Sequence, residues 1–408
     1  QNAKTTNADK NAEEKIKLAV MAARAQSEGA LDADKLVAEI TNNYGGTATK
    51  TGTGFPVNAT VDGKSFAIDG DGNVTSTGSG NGPTGGRLGT VTGNEDTNTT
   101  VQDSLGNQVV VPAGFEVVNP NDNVEDGIVV RDKTHTKTAG SEFVWIPVGD
   151  VKTKNKGTIK IELKRYVFNE DGTVNEELTK TDPGDHVQPT GDSYYYTEGL
   201  ENSQTDNTHA KNIATFKDKA EGSHGYYIGK YEARDKDATA ERTTSSSTTN
   251  QLVCTADNYV YNFVKQAQAA TLSRGMYAEA PFESDLMNSY AWDTATLFLQ
   301  TFDNRTNKDS LKKYSIQNSL NTDSDGLASK GTNNLTEASK IDKICNVYDM
   351  ASNCLEWSTE TSSDSRDYRP CAQRGGLYND SDNYTSLRYI NYATYSRSYY
   401  SFRPLLYL

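Results

Sequence analysis

Few residues in this sequence have side chains suited to bond-making chemistry. There are four cysteines, Cys254, Cys345, Cys354 and Cys371, and four histidines, His135, His186, His209 and His224. A zinc or copper centre needs clustered thiolate or imidazole ligands. No Cys-x-x-Cys pair occurs and no cysteine lies beside a histidine, so no metal and no cofactor is expected. An even number of cysteines in a polar, Tyr- and Asn-rich chain fits an oxidising, extracellular setting. Four cysteines allow three disulfide connectivities, and the sequence does not choose among them. Cys345, Cys354 and Cys371 are expected as disulfide partners or small core residues, not nucleophiles. Glu356 beside Trp357 has the form of a general acid, but is expected to be a buried acceptor for an arginine such as Arg374 or Arg403. Asp69-Gly70-Asp71-Gly72 and Asp323-Ser324-Asp325-Gly326 have the carboxylate spacing of calcium loops but lack the bidentate Glu, so turns are expected. No catalytic residue is assigned.

The segment 377–401 points to a different chemistry. Tyr, Ser, Asn and Asp fill 17 of its 25 positions. Tyr offers a large amphipathic contact area at low side-chain entropy cost, and Ser and Asn offer adaptable hydrogen bonds, as in antibody binding loops. The candidate ligand-binding residues are Tyr378, Asn379, Asp382, Asn383, Tyr384, Tyr389, Asn391, Tyr392, Tyr395, Ser396, Ser398, Tyr399 and Tyr400. Strand periodicity is weak here, so most of the stretch is expected to be exposed loop. Arg388 and Arg397 fit either the framework or the variable face. Trp145, Trp292 and Trp357 are expected as the rigid core beneath.

The elements that must carry this segment can be read from spacing. Residues 7–42 form the one long helical signal, with Ile16, Ala19, Val20, Ala23, Leu36, Val37 and Ile40 on one stripe. Gly29 interrupts it, Asp32 can cap a second helix, and Gly45-Gly46 ends it. Strands joined by Asp-Gly turns follow to residue 75. Residues 76–100 are rich in Gly, Thr, Asn and Ser, and a linker is expected over 81–104. Short apolar runs then predict strands at 109–112, 115–118, 127–130, 143–147, 158–168, 226–232, 346–350, 355–360 and 402–408. Helices are expected at 256–269 and 290–302, and an insertion at about 150–224. The class is α+β.

The chain has 408 residues, 41 Lys+Arg against 55 Asp+Glu, and a formal net charge of -14. An acidic surface repels phosphate backbones, so no nucleic-acid partner is expected. No run approaches the roughly 18 apolar residues of a membrane span. The opening Gln1-Asn2-Ala3-Lys4 has no Met, so a preceding segment is expected.

Two resemblances give these elements a family context. Residues 1–80, with an amphipathic helix followed by Val61-Asp62-Gly63-Lys64 and Ile68-Asp69-Gly70-Asp71-Gly72-Asn73-Val74, resemble a type IV pilin or pseudopilin lacking its hydrophobic N-terminal half-helix. That resemblance implies other pilin subunits as partners through the helix, and membrane contact only through the missing segment. Residues 105–408 resemble a C-type lectin fold of the formylglycine-generating enzyme type. The resemblance lies in Phe143-Val144-Trp145-Ile146-Pro147-Val148-Gly149, Tyr227-Ile228-Gly229-Lys230-Tyr231-Glu232, Tyr290-Ala291-Trp292-Asp293-Thr294-Ala295, Tyr348-Asp349-Met350-Ala351-Ser352-Asn353-Cys354-Leu355-Glu356-Trp357, Arg374-Gly375-Gly376 and Ser401-Phe402-Arg403-Pro404. The family's G-N-V-x-E-W and G-F-R forms are altered by Ser352, Cys354 and Ser401. Its copper-dependent members carry paired cysteines after R-G-G. Residues 377–408 contain no Cys or His, so the implied metal-dependent oxidase activity lacks its ligands.

The segment 377–401 also contains no Lys, Glu, Gln, Met or Trp. These are the residues that free replacement of the adenines in AAC or AAT codons cannot produce. The pattern resembles the variable region of a diversity-generating retroelement target protein, which sits at the C terminus of such a lectin fold. Asn379, Asn383 and Asn391 are then expected as unmutated template positions, with the tyrosines and Asp382 as products. The resemblance implies a cell-surface or pilus-associated extracellular protein binding a protein or glycan ligand on another cell or phage. The competing readings are a metal-dependent oxidase and a purely structural pilin subunit.

Overall fold

The computed structural model describes residues 12–27, 29–52, 54–61, 64–76, 86–168, 174–177, 196–197, 210–246, 251–256, 259–303, 342–362, 371–377 and 385–408. The fold is mixed α and β, with five α-helices and several small sheets among these residues. It divides into two compact units, Gln1–Gly86 and Arg87–Leu408.

The first unit packs two helices on one face of a four-stranded antiparallel sheet. The helix Ala12–Ala25 contributes Ile16, Ala19, Val20 and Ala23, and the helix Ala33–Asn43 contributes Ala33, Leu36 and Ile40. Val57, Ala59, Val61, Phe66 and Ile68 meet them from the sheet. Gly29 (φ +98°) ends the first helix by returning its N–H to the Arg24 carbonyl. Asp32 caps the second through the N–H groups of Asp34 and Lys35. The Asp69 carboxylate accepts bonds from Asp71 N, Asn73 N and Asn73 Nδ2, all within its own hairpin. It is therefore a turn-forming group. Asp103 repeats the same bonds with Leu105 and Asn107. The second calcium-like sequence, 323–326, lies outside the described residues.

In the second unit a six-stranded antiparallel sheet runs in the order Glu283–Leu286, Pro404–Tyr407, Gly225–Gly229, Glu142–Pro147, Val129–Asp132 and Phe115–Val117. The helix Ser289–Phe302 shares its core, which includes Trp145, Trp292, Phe298 and Leu406. A second sheet runs Tyr196–Thr197, Leu355–Ser362, Cys371–Arg374 and Arg388–Asn391, and Tyr400–Phe402 adds in parallel to Leu355–Ser362. Its core holds Trp357, Leu355, Leu387, Ala393, Tyr400 and Phe402. All three tryptophans are fully buried, as expected.

Several expectations are corrected. Of the two alternatives for the cysteines, disulfide pairing fails and the small core residue holds: each is a buried thiol occupying core volume. Residues 86–104 are not linker. Gly86–Arg87, Thr99–Gln102 and Gln108–Val111 form a three-stranded sheet, and Leu88 and Val101 enter the core. The helix expected at 256–269 forms instead at Gln266–Gly275. The N–H groups of Tyr261 and Phe263 are used outside it, by the carbonyls of Ala233 and Arg397, which forbids helical pairing there. The strand expected at 158–168 is two strands, Thr158–Ile161 and Tyr166–Phe168. A helix at Ile213–Gly222, capped by Asn212, lies within the expected insertion and buries Phe216 and Ala220.

Candidate functional site: the C-terminal aromatic face

Two buried charge networks hold the backbone that carries residues 385–403. In the first, Asp293 on the helix Ser289–Phe302 accepts bonds from Arg374 Nη2 (2.6 Å), Arg388 Nη2 and the Tyr166 N–H (2.9 Å). Glu360 accepts from Arg165 Nη2 (2.7 Å), Arg388 Nε (2.9 Å) and Arg374 Nη1 (3.2 Å). All five side chains are buried, three guanidinium groups against two carboxylates. Burial opposes ionisation of Glu360, but Arg388, Arg374 and Arg165 overcome it and hold the carboxyl down to about 2.

The second network joins the sequence motifs. Arg403 donates to both Glu356 oxygens (2.8 and 3.2 Å), to the Gly229 carbonyl (2.7 Å) and to the Tyr348 carbonyl (2.7 Å). Glu356 is thus the buried arginine acceptor expected from the sequence. Asn353 Nδ2 donates to Glu232 (2.8 Å). Burial, with Asp349 and Glu356 nearby, pushes the Glu232 carboxyl well up. Gly375 and Gly376 pass so close to the preceding segment that a Cβ on them would lie 2.5 Å from the Met350 carbonyl oxygen and 1.9 Å from that of Ala351. Only glycine allows that approach.

These supports fix the tail by its backbone. The carbonyl of Thr385 accepts from Trp292 Nε1 (2.7 Å), and that of Leu387 from Arg374 Nε (2.9 Å). Strand Arg388–Asn391 pairs with Cys371–Arg374, Tyr389 standing opposite Gln373. Beyond it, the carbonyls of Ala393, Arg397, Ser398 and Tyr399 accept from Gln266 N, Phe263 N, Asn262 Nδ2 and Leu355 N. Every one of these donors belongs to the scaffold.

The side chains divide into two sets. Tyr389 (47% exposed), Tyr395 (36%), Thr394 and Arg397 are exposed, and Tyr392, Ser396, Ser398 and Tyr399 are half-buried. The Tyr392 and Tyr395 rings lie 4.4 Å apart, and the Arg397 guanidinium sits 5.0 Å over Tyr395. Asn391 and Tyr400, expected as contact residues, are instead buried. The described part of the stretch, residues 385–401, is also not mostly exposed loop. Leu387, Arg388, Ile390, Ala393 and Tyr400 all point inward. Its strand was hidden because an inward arginine breaks the alternation that marks a half-buried strand. Tyr378, Asn379, Asp382, Asn383 and Tyr384 lie outside the described residues.

Sequence reasoning missed Arg165, Asp293 and Glu360 as supports. A signal was present for Glu360: Glu356, Ser358 and Glu360 recur at period two in a strand beginning Leu355-Glu356-Trp357. The thiols offer little chemistry, since burial pushes those of Cys254 and Cys354 well up. Among the described residues no group of three or more His, Cys, Asp or Glu side chains is placed to hold a metal ion, and no helix is long and apolar enough to cross a membrane. No family model, no curated protein and no solved structure matches this chain.

Proposed function

We propose that this chain is a non-enzymatic, surface-displayed ligand-binding protein whose C-terminal Tyr-, Asn- and Ser-rich face is the recognition surface. One observation carries the reading: scaffold donors hold the tail by its carbonyls while Tyr389, Tyr392, Tyr395 and Tyr399 turn their rings partly to solvent. Backbone pinning lets side chains change without altering the path of the chain. A preformed aromatic platform loses little entropy on binding. The same division suits diversification by a retroelement, which needs a face that accepts exchange and a frame that does not.

The lectin-type reading of the second unit draws support from the motif residues Asn353, Glu356, Gly229 and Arg403, which meet in one buried cluster. The pilin-type reading of the first unit draws support from its interrupted helix on a four-stranded sheet. On this reading the first unit anchors the protein to a pilus or filament, and the second meets a protein or glycan on another cell or phage. The oxidase reading asks for accessible, ionisable thiols, and buried thiols with raised pKa run against it.

The test replaces Tyr389, Tyr392, Tyr395 and Tyr399 together by Ala. Wild type and variant are applied to a glycan array and to a panel of bacterial cells, and both are melted. The expected result is loss of binding with a Tm shift of no more than about 2–4 °C. A large fall in Tm would make the rings core residues, and unchanged binding would remove them from the surface that matters.

A further inference from the structure

Asn391 and Tyr400 sit at the two ends of the loop 392–399. Asn391 is the final residue of strand Arg388–Asn391, and Tyr400 the first of strand Tyr400–Phe402. Asn391 Nδ2 donates to the Tyr400 hydroxyl and to Gln373 Oε1 (3.2 Å), while its Oδ1 accepts the Tyr392 N–H (3.0 Å). The Tyr400 ring rests edge-on against Trp357 (5.6 Å), whose indole N–H is fixed to the Val264 carbonyl (2.8 Å). Tyr399 in turn stands edge-on against Tyr400 (4.9 Å). Both anchor side chains are buried.

We infer that Asn391 and Tyr400 are a positioning pair that clasps the base of the loop 392–399, so that specificity rests with Tyr389, Tyr392, Tyr395, Ser396, Ser398 and Tyr399. The inference builds on the recognition reading of the tail and divides its residues by role. The chemistry of the clasp is restrictive. Asn391 must donate twice and accept once; a carboxylate lacks the donors, and a serine is too short to reach Tyr400, Gln373 and the Tyr392 N–H together. Removing the Tyr400 hydroxyl strips a buried amide of one partner. The repertoire of the face is therefore smaller than its codons permit: positions 391 and 400 stay fixed or change together, while the outward positions change independently.

The test compares the full-length chain with Asn391→Ser, Tyr400→Phe, the double variant, and a control carrying Tyr389→Ser with Tyr395→Ser. Amide hydrogen exchange is read on the peptide covering 392–399. Loss of one net hydrogen bond predicts exchange about fivefold faster in Tyr400→Phe, and Asn391→Ser, which also gives up Gln373 and the Tyr392 N–H, should exchange at least as fast. Because both variants break the same bond, the double should be no faster than the faster single. The control should match wild type. Wild-type exchange in Tyr400→Phe, a double variant equal to the product of the singles, or a control as fast as the clasp variants would overturn the inference. Tyr400→Phe keeps the ring against Trp357, so its folding is not in question. A tail that binds no ligand would end the recognition reading and leave this exchange pattern as it stands.

Discussion

Replacing Glu360 by Gln keeps the shape of the side chain and deletes one of two carboxylates facing Arg165, Arg374 and Arg388. Asp293 then faces the buried guanidinium groups alone. Breaking a buried ion pair by removing one partner costs about 3–5 kcal/mol. Proton linkage gives a figure of the same size. Burial would raise the Glu360 carboxyl, but the arginines bring it from 4.5 to about 2. That difference is worth roughly 3 kcal/mol. The folded-state pKa is lowered, so this stability is fully present above the unfolded value and is lost as pH falls through the folded one. About 2 kcal/mol of it is gone by pH 3. The assay is urea unfolding of wild type and Glu360→Gln from pH 7 to pH 3, followed by tryptophan fluorescence. Trp145, Trp292 and Trp357 all lie in the second unit, so the signal reports that unit alone. The variant should be about 3 kcal/mol less stable at pH 7, with the gap narrowing to about 1 kcal/mol at pH 3. Equal stability at pH 7, or a gap that stays constant with pH, would refute the argument.

Gly376→Ala forces a Cβ against the Ala351 carbonyl, where only backbone can give way, and should cost more than about 3 kcal/mol, read as a fall in the urea midpoint or in soluble yield. Ser386→Ala should act in the opposite direction. Its hydroxyl is buried with no hydrogen-bond partner among the described residues, so deleting it should raise stability by about 1 kcal/mol in the same urea assay.

The elements legible from spacing were those whose buried face is apolar. Ile16, Ala19, Val20 and Ala23 marked the first helix, and Gly29 and Asp32 marked the break and restart, because each acts within its own few residues. Phe143 to Pro147 marked a central strand for the same reason. The elements that spacing misplaced depend on partners far away in the chain. Residues 259–265 stay out of the helix because Ala233 and the tail take the N–H groups of Tyr261 and Phe263. Arg388 reads as surface until Asp293 and Glu360 are brought to it. Composition singled out the candidate face, and Tyr389, Tyr392, Tyr395 and Tyr399 reach solvent at least in part, but composition does not distinguish outward from inward. Asn391 and Tyr400 have the same residue types as their neighbours and the opposite orientation. The cysteines left two alternatives open because a buried thiol and half of a disulfide are identical in sequence, and only the packed core selects the thiol.

The strand Pro404–Tyr407 lies inside the six-stranded sheet, between Glu283–Leu286 and Gly225–Gly229, immediately downstream of the aromatic face. A frameshift or premature stop within codons 377–401 would therefore delete an interior strand together with Arg403. Such products could not assemble the second unit and would be left to proteases. Folding of the second unit thus requires an intact reading frame through the aromatic face, while making no demand on which side chains that face turns outward.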